Sequence, residues 1–163
     1  MTHEPRLTRE LRTLLHGQRV AAIGTLSEEG APFVSMVPYA IEPASACLVL
    51  HVSGLAAHTR NMQIRPTVSI LVMKPEVPGE PVHALPRVTL DGRANVLARE
   101  DSQWDACRAT YLARFPEAEP MTALGDFIFV AVRIHGARQI AGFGAARSLD
   151  AAEIRWALAM VTT

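Results

Sequence analysis

The chain has 163 residues, of which 49% are hydrophobic and 20% charged, and this is the size and composition of one globular domain. Sixteen basic residues balance sixteen acidic ones, so no global field attracts nucleic acid or anionic lipid, and any anion site must be built locally. No apolar run approaches the ~20 residues that span a bilayer, and the charged N-terminal segment lacks the apolar stretch of a signal peptide, so we expect a single domain over 1–163 in the cytoplasm.

Four helices and six strands are predicted along the chain. The helices are indicated by apolar residues at helical spacing together with start and stop signals, and they cover 7–17, 55–64, 99–115 and 150–161. The last helix begins with Asp150 and Glu153, which have the spacing of a capping box. Apolar runs between turn signals predict strands over 19–27, 32–42, 46–52, 67–74, 87–97 and 126–140.

The connections between these elements indicate the fold class. Short turns join most of the strands, and helices are inserted without a strict alternation of strand and helix. The proline-rich segment 75–86 is a loop within the domain, since it is too short to link two domains. This pattern argues against a doubly wound parallel sheet. We expect a mainly β (α+β) fold, an antiparallel six-stranded barrel with helices packed outside it.

The spacing of reactive residues argues against several kinds of site. None of the six histidines has the spacing of a zinc site, so no metal is expected, and no Gly-x-Ser-x-Gly supports serine hydrolase chemistry. Cys47 and Cys107 lie far apart without a Cys-x-x-Cys pair, and we expect two buried reduced thiols. Gly142 and Gly144 begin a nucleotide-loop pattern, but Arg147 stands in place of its third glycine, which favours a plain turn.

The segment 53–61, SGLAAHTRN, has the composition of a phosphate site. It leaves an apolar strand through small residues and enters a helix, whose first turn exposes unpaired N–H groups and about half a unit of positive charge. Further polar groups come from Ser53, His58, Thr59, Arg60 and Asn61. One interpretation is a locally built phosphate cradle. The alternative is that Ser53 caps the helix and that His58 and Arg60 are solvated.

The order of these segments resembles a known family. The runs GAPFVSMVPYAI, LVLHVSGLAAHTRNMQIRPTVSILV and RVTLDGRANVL, within 19–140, resemble the FMN-binding split β-barrel family, the group of pyridoxamine 5'-phosphate oxidase. The most specific piece is Ser-x-Leu-Ala-x-His-Thr-x-Asn, followed by Arg-Pro and a strand. The resemblance implies an antiparallel split β-barrel of the FMN-binding type. It also implies a homodimer with the flavin at the two-fold interface, where the partner subunit contributes contacts.

The resemblance further implies which residues contact FMN. Ser53, His58, Thr59 and Asn61 would bind the phosphate, and His58 stands where the oxidases have a lysine. Arg87 stands where the oxidases carry a glutamine that touches the flavin. The residues implied beside the flavin ring and the ribityl chain are Ser35, Met36, Val37, His51 and Val52.

The chain departs from the oxidases where those enzymes bind vitamin B6. Ser35 and Ala40 replace the arginine and lysine of their second strand, and their Arg-Leu-x-Pro signature near the C-terminus is absent. The flavin site is therefore better supported than a B6 substrate. The segment 136–146, GARQIAGFGAA, resembles the haem-utilisation proteins built on the same barrel, some of which bind and degrade haem.

Three functions stay open from the sequence. The first is a flavin-dependent oxidoreductase acting on an unidentified small molecule, with His51 as the acid–base candidate beside the ring and simple packing as its alternative role. The second is a haem-binding or haem-degrading protein, with His135 as a candidate axial ligand. The third is a non-enzymatic flavin-binding protein. We expect no nucleic-acid or membrane partner.

Overall fold

One antiparallel sheet organises the protein. The structure is a computed structural model that describes residues 4–159. The strands are β1 (Val20–Leu26), β2 (Pro32–Pro38), β3 (Ala40–Glu42), β4 (Cys47–Ser53), β5 (Thr67–Met73), β6 (Arg87–Val96), β7 (Phe127–Ile140) and β8 (Ala146–Asp150). Their order is β2-β1-β5-β6-β7-β4-β3, with β8 beside β7. The sheet curls until β2 lies against β4, which gives the predicted antiparallel split barrel.

The described strands number eight rather than the predicted six. The strand predicted over 32–42 divides into β2 and β3, because Pro38 has no N–H with which to continue the ladder. The N–H of the next residue, Tyr39, donates instead to the carbonyl of Arg19 (3.1 Å). β8 was not predicted. Gly142 and Gly144, at φ 138° and 71°, turn the chain so that β8 pairs with the end of β7.

Helices surround the sheet. They are α1 (Arg6–Gly17), α2 (Ala57–Ile64), α3 (Trp104–Arg114), α4 (Glu119–Thr122) and α5 (Ala151–Ala159). The predicted capping box of α5 is confirmed, because the Asp150 carboxylate accepts from the N–H of Glu153 (2.9 Å) and the Glu153 carboxylate accepts from the N–H of Asp150 (2.8 Å). Val161, predicted in this helix, lies outside the described residues. No helix in 4–159 is long and apolar enough to cross a bilayer.

The two faces of the sheet are covered to different extents. The barrel interior is filled by the main apolar core, to which α1, α2 and α5 contribute. α3 covers the outer face of β4, so that Leu48 and Leu50 point inward while Val49 packs toward Tyr111. The outer face of β2, β1, β5 and β6 stays partly or fully exposed. We call it the open face; its side chains include those of Val20, Ala22, Val34, Met36, Leu71, Met73, Arg87 and Thr89.

A β-bulge lies where β6 pairs with β7. The register shifts between Asp91 and Gly92, and His135 has no partner residue on β6. A Cβ atom on Gly92 would lie 2.8 Å from Cγ1 of Val132 and 3.1 Å from the carbonyl oxygen of Arg133, so the close approach of the two strands requires glycine. The register shift therefore falls where glycine allows β6 and β7 to approach closely.

Candidate functional site

The segment 53–61 forms a tight turn and the first turn of α2. The carbonyl of Ser53 accepts from the N–H of Ala56 (3.1 Å) and from the hydroxyl of Thr59 (2.7 Å). The Ser53 hydroxyl accepts from the N–H of Leu55 (3.2 Å). Ala56 precedes the helix and provides no side-chain cap. Ser53 therefore closes the turn, and it does not cap α2 as the alternative interpretation of the sequence held.

Thr59 and Asn61 point into the protein. Thr59 is fully buried, with its hydroxyl bonded to Ser53, and the side-chain amide of the buried Asn61 donates to Oγ1 of Thr25 on β1 (3.0 Å). These contacts fix α2 onto the barrel. The implied contact of both side chains with a phosphate stays a prediction.

His58 and Ser35 join the start of α2 to β2. Oγ of Ser35 and Nδ1 of His58 are 2.8 Å apart and form a hydrogen bond, in which the histidine tautomer decides which group is the donor. Burial lowers the pKa of His58, so the neutral imidazole is favoured in the free protein. Within 4–159 the N–H groups of Ala57 and His58 have no hydrogen-bond partner, so the helix start still offers two donors.

His51 and Val52 lie on opposite faces of β4. Val52 is buried in the barrel interior, whereas His51 packs on the outer side against Phe129, Phe127 and Tyr111, at ring-centroid distances of 4.5, 5.2 and 5.6 Å. Nδ1 of His51 is buried without a hydrogen-bond partner in the described structure, and burial lowers the pKa of the ring. The packing role is therefore observed, while a position of these two residues beside a flavin stays a prediction.

The three residues predicted on β2 divide between the faces of the sheet. Ser35 and Val37 point toward the interior, where Val37 belongs to the core. Met36 lies on the open face and is 62% exposed, and its neighbour Val34 is 69% exposed. Apolar side chains this exposed on an edge strand are typical of a surface that a partner or ligand covers. β2 thus provides side chains both to the side of the sheet that faces α2 and to the open face.

Arg87 lies at one end of the open face, in a cleft of about 360 Å³ that sequence reasoning missed. Its guanidinium donates to the carbonyl oxygens of Leu85 (2.9 Å) and His83 (3.4 Å), which fixes the loop before β6. We call this the Arg87 cleft; it is lined by Met73, Glu76, Val82, His83, Leu85 and Arg87. The loop 75–86 contains no recognisable binding motif. The sequence feature that could have indicated this cleft is His83, which lies shortly before β6.

A neighbouring cleft connects the Arg87 cleft to β2. It measures about 320 Å³, shares Met73 with the Arg87 cleft and reaches Met36. His135, the predicted haem ligand, is exposed at the bulge of β7, and Ile140 of the same strand pairs with Arg87. Five residues of extended strand place His135 about 17 Å from that end of the sheet. The structure therefore groups Met36 with Arg87, and it separates His135 from both.

Known proteins resemble this chain in sequence and in structure. The family described as pyridoxamine 5'-phosphate oxidase matches it over residues 7–141. Heme oxygenase HutZ of Vibrio cholerae is 28% identical over 142 residues, which are 86% of this chain and 80% of that protein. HOZ, a chloroplastic heme oxygenase of Arabidopsis thaliana, is 34% identical over 139 residues, which are 84% of this chain and 41% of that protein.

A solved structure is similar to this chain in both fold and sequence. A heme binding protein from Mycobacterium smegmatis has a TM-score of 0.82 and 30% sequence identity to this chain. The match covers 95% of this chain and 62% of the mycobacterial chain. The chain thus spans well under two thirds of the Arabidopsis protein and slightly less than two thirds of the mycobacterial one.

Proposed function

We propose that this chain, which belongs to the pyridoxamine 5'-phosphate oxidase family, binds haem. The observation that carries the proposal is that relatives found by sequence and by structure bear haem names, two of them as heme oxygenases and one as a heme binding protein. The likeness to a haem-utilisation segment, 136–146, supports the same branch. Since the chain spans only part of some of these proteins, haem degradation is a separate part of the proposal.

The Arg87 cleft has groups of the kind that haem requires. Haem needs an apolar wall for its macrocycle, a cation for its propionates and an axial ligand for its iron. Met73, Val82 and Leu85 provide apolar surface, and His83 provides an imidazole in the same lining. The guanidinium of Arg87 has five donors, so the bonds to two loop carbonyls leave others for a carboxylate. Bound haem would supply a redox-active iron at this end of the open face.

His83 is the preferred candidate for the axial ligand. It lies in the cleft with Arg87, whereas His135 stands about 17 Å away along β7. Arg87 also holds the carbonyl oxygen of His83, so the cation and the imidazole belong to one fixed loop. His135 is the alternative ligand that the sequence indicated, and the substitution His135→Ala is the matched control for His83→Ala.

A haem titration followed by the Soret band tests the proposal. The parent protein should show saturable binding with a sharp, shifted Soret band. His83→Ala should weaken binding by at least about tenfold, because an axial bond is lost, whereas His135→Ala should leave binding unchanged. Arg87→Gln should weaken binding with the Soret position retained. A parent protein without saturable binding contradicts the haem proposal, and loss of binding only in His135→Ala contradicts the choice of cleft.

Degradation is tested on the haem-loaded protein. Addition of ascorbate in air should bleach the Soret band and produce the broad red absorbance of an open-chain tetrapyrrole. A Soret band that persists under these conditions, at saturating binding, would restrict the function to binding.

FMN is a second candidate, favoured by a separate observation at α2. The helix start offers the free N–H groups of Ala57 and His58 beside the Ser35–His58 pair, which is the environment that a phosphate dianion prefers. Charge-assisted hydrogen bonds contribute on the order of 1.5–3 kcal/mol each, so FMN should bind at least roughly a hundredfold more tightly than riboflavin. Quenching of flavin fluorescence measures both affinities, and equal values would exclude a phosphate site there.

A further inference from the structure

Cys47 and Cys107 are neighbours in the folded protein. Cys47 begins β4, and Cys107 lies near the start of α3, the helix that packs on the outer face of that strand. Both thiols are free and buried in the same apolar cluster, and each shifts the pKa of the other. A disulfide between them would join a strand to the helix that packs on it.

The Cys47 side of this pair lines a positively charged cleft of about 330 Å³. Arg133 is the cross-strand partner of Cys47 on one side and of Arg93 on the other, so the three residues form one row on the outer face. Neither guanidinium has a hydrogen bond or ion pair within the described residues. Like charges directly opposite in a ladder repel each other, and a nearby anion relieves that repulsion. A thiolate at Cys47 would be such an anion.

A hydroxyl beside Cys47 can support its ionisation. Oγ of Ser45 lies 3.2 Å from Sγ of Cys47 and also donates to the carboxylate of Glu42. One hydroxyl proton cannot serve both acceptors. Glu42 keeps two backbone donors, the N–H groups of Ala44 (3.1 Å) and Ser45 (2.8 Å), so the hydroxyl is free to turn toward a thiolate.

The two thiols differ in acidity. The hydrogen bond from Cys107 lowers the pKa of Cys47, with Ser45 and Arg133 acting in the same direction and burial and Glu42 opposing it. The same contact, together with burial, raises the pKa of Cys107. Cys47 is therefore the thiol that ionises first, and Cys107 is its protonated neighbour.

We propose that Cys47 and Cys107 form a peroxide-reactive thiol pair that closes reversibly to a disulfide within one chain. The Cys47 thiolate attacks a hydroperoxide: an S–O bond forms, the O–O bond breaks, and the leaving hydroxide takes a proton to give water. Cys107 then loses its proton and attacks the sulfenic sulfur: the S–S bond forms, the S–O bond breaks and a second water leaves. Two thiols are oxidised and one hydrogen peroxide is reduced to two waters.

The test uses the full chain, reduced and freed of reductant, and then treated with hydrogen peroxide. The parent protein should lose both titratable thiols and the mass of two hydrogens, and a peptide map should link Cys47 to Cys107 within a monomer-sized chain. A thiol reductant should reverse both changes. Cys107→Ser should stop at a sulfenic acid on Cys47 that dimedone traps, and Cys47→Ser should leave Cys107 reduced.

The cleft arginines provide the matched control. Arg133→Gln should slow thiol loss by roughly threefold, because loss of the neighbouring charge reduces the thiolate fraction, whereas Arg138→Gln, also exposed on β7 and bonded to Ser148, should not. Circular dichroism of each reduced variant verifies folding. Thiols that survive excess peroxide, a disulfide between two chains, or oxidation of Cys107 in Cys47→Ser at the parent rate would each overturn the proposal.

Discussion

Gly92 is a single residue on which the pairing of β6 with β7 depends. An added Cβ would meet Cγ1 of Val132 at 2.8 Å and a backbone carbonyl at 3.1 Å, so Gly92→Ala should lower the free energy of unfolding by about 1–3 kcal/mol. Urea denaturation measures this change. Gly17→Ala at the end of α1 is the control, because nothing lies within 4 Å of its added Cβ and alanine favours the helix by up to ~1 kcal/mol. Equal losses in both variants would contradict the steric argument.

His58 is the residue whose charge is expected to depend on FMN. Burial lowers its pKa in the free protein, while a bound phosphate would raise it, so protonation and binding favour each other as the pH falls toward the ordinary histidine value of about 6.5. The phosphate itself also titrates near pH 6, in the parent and in the variant alike. His58→Ala should therefore bind FMN more weakly than the parent, by a factor that grows on acidification. Fluorescence titrations at two pH values measure that factor, with His135→Ala as the control. If His58→Ala binds FMN as tightly as the parent at both pH values, His58 does not belong to the site.

At the scale of elements, the packing of α3 on β4 and β7 is expected to depend on the protonation state of His51. Its ring lies among Phe129, Phe127 and Tyr111, and burial lowers its pKa, so folding favours the neutral ring. Between that lowered pKa and the ordinary value near 6.5, the unfolded chain binds more protons. The stability that the neutral His51 ring contributes is therefore fully present above about pH 6.5 and is lost as the pH falls below that value.

The substitution His51→Phe is expected to reduce this loss at acid pH. It removes the titrating ring and keeps an aromatic side chain in the cluster. The loss should not vanish, because burial also lowers the pKa of His16. Urea denaturation at about pH 7.5 and about pH 5.5 measures the difference in the free energy of unfolding. His83→Phe, at an exposed position, is the control and should change the difference little; an unchanged loss in His51→Phe would argue against this assignment.

At the scale of the whole molecule, the open face predicts an assembly. Val34 and Met36 are 69% and 62% exposed on an edge strand, and a second copy of the chain is the partner that the family resemblance implies. Sedimentation at low micromolar concentration should give about twice the mass of one chain. Val34→Glu should yield monomers, while Phe143→Glu, on the equally exposed turn before β8, should not. A parent protein that sediments as a stable monomer would show that the open face is not a dimer interface.

The sequence alone determined the local structure and the family. Apolar runs between turn signals, helical spacing and the capping box of Asp150 and Glu153 depend on neighbours in the chain, so they could be predicted. The segment 53–61 identified the family because its turn and helix start are continuous in sequence. The division of the strand at Pro38 and the pairing of β8 were missed, since both depend on which strand lies beside which.

Only the tertiary structure decided which side chains remain available. Thr59 and Asn61 look like ligands in the sequence, and in the fold the Thr59 hydroxyl donates to Ser53 and the Asn61 side-chain amide donates to Thr25. The sequence separates Cys47 from Cys107, and the packing of α3 on β4 brings them together. The Arg87 cleft arises where a loop meets the end of β5. Such contacts depend on strand register and on which face a helix covers, and these are settled by burial of the whole core rather than by any local pattern.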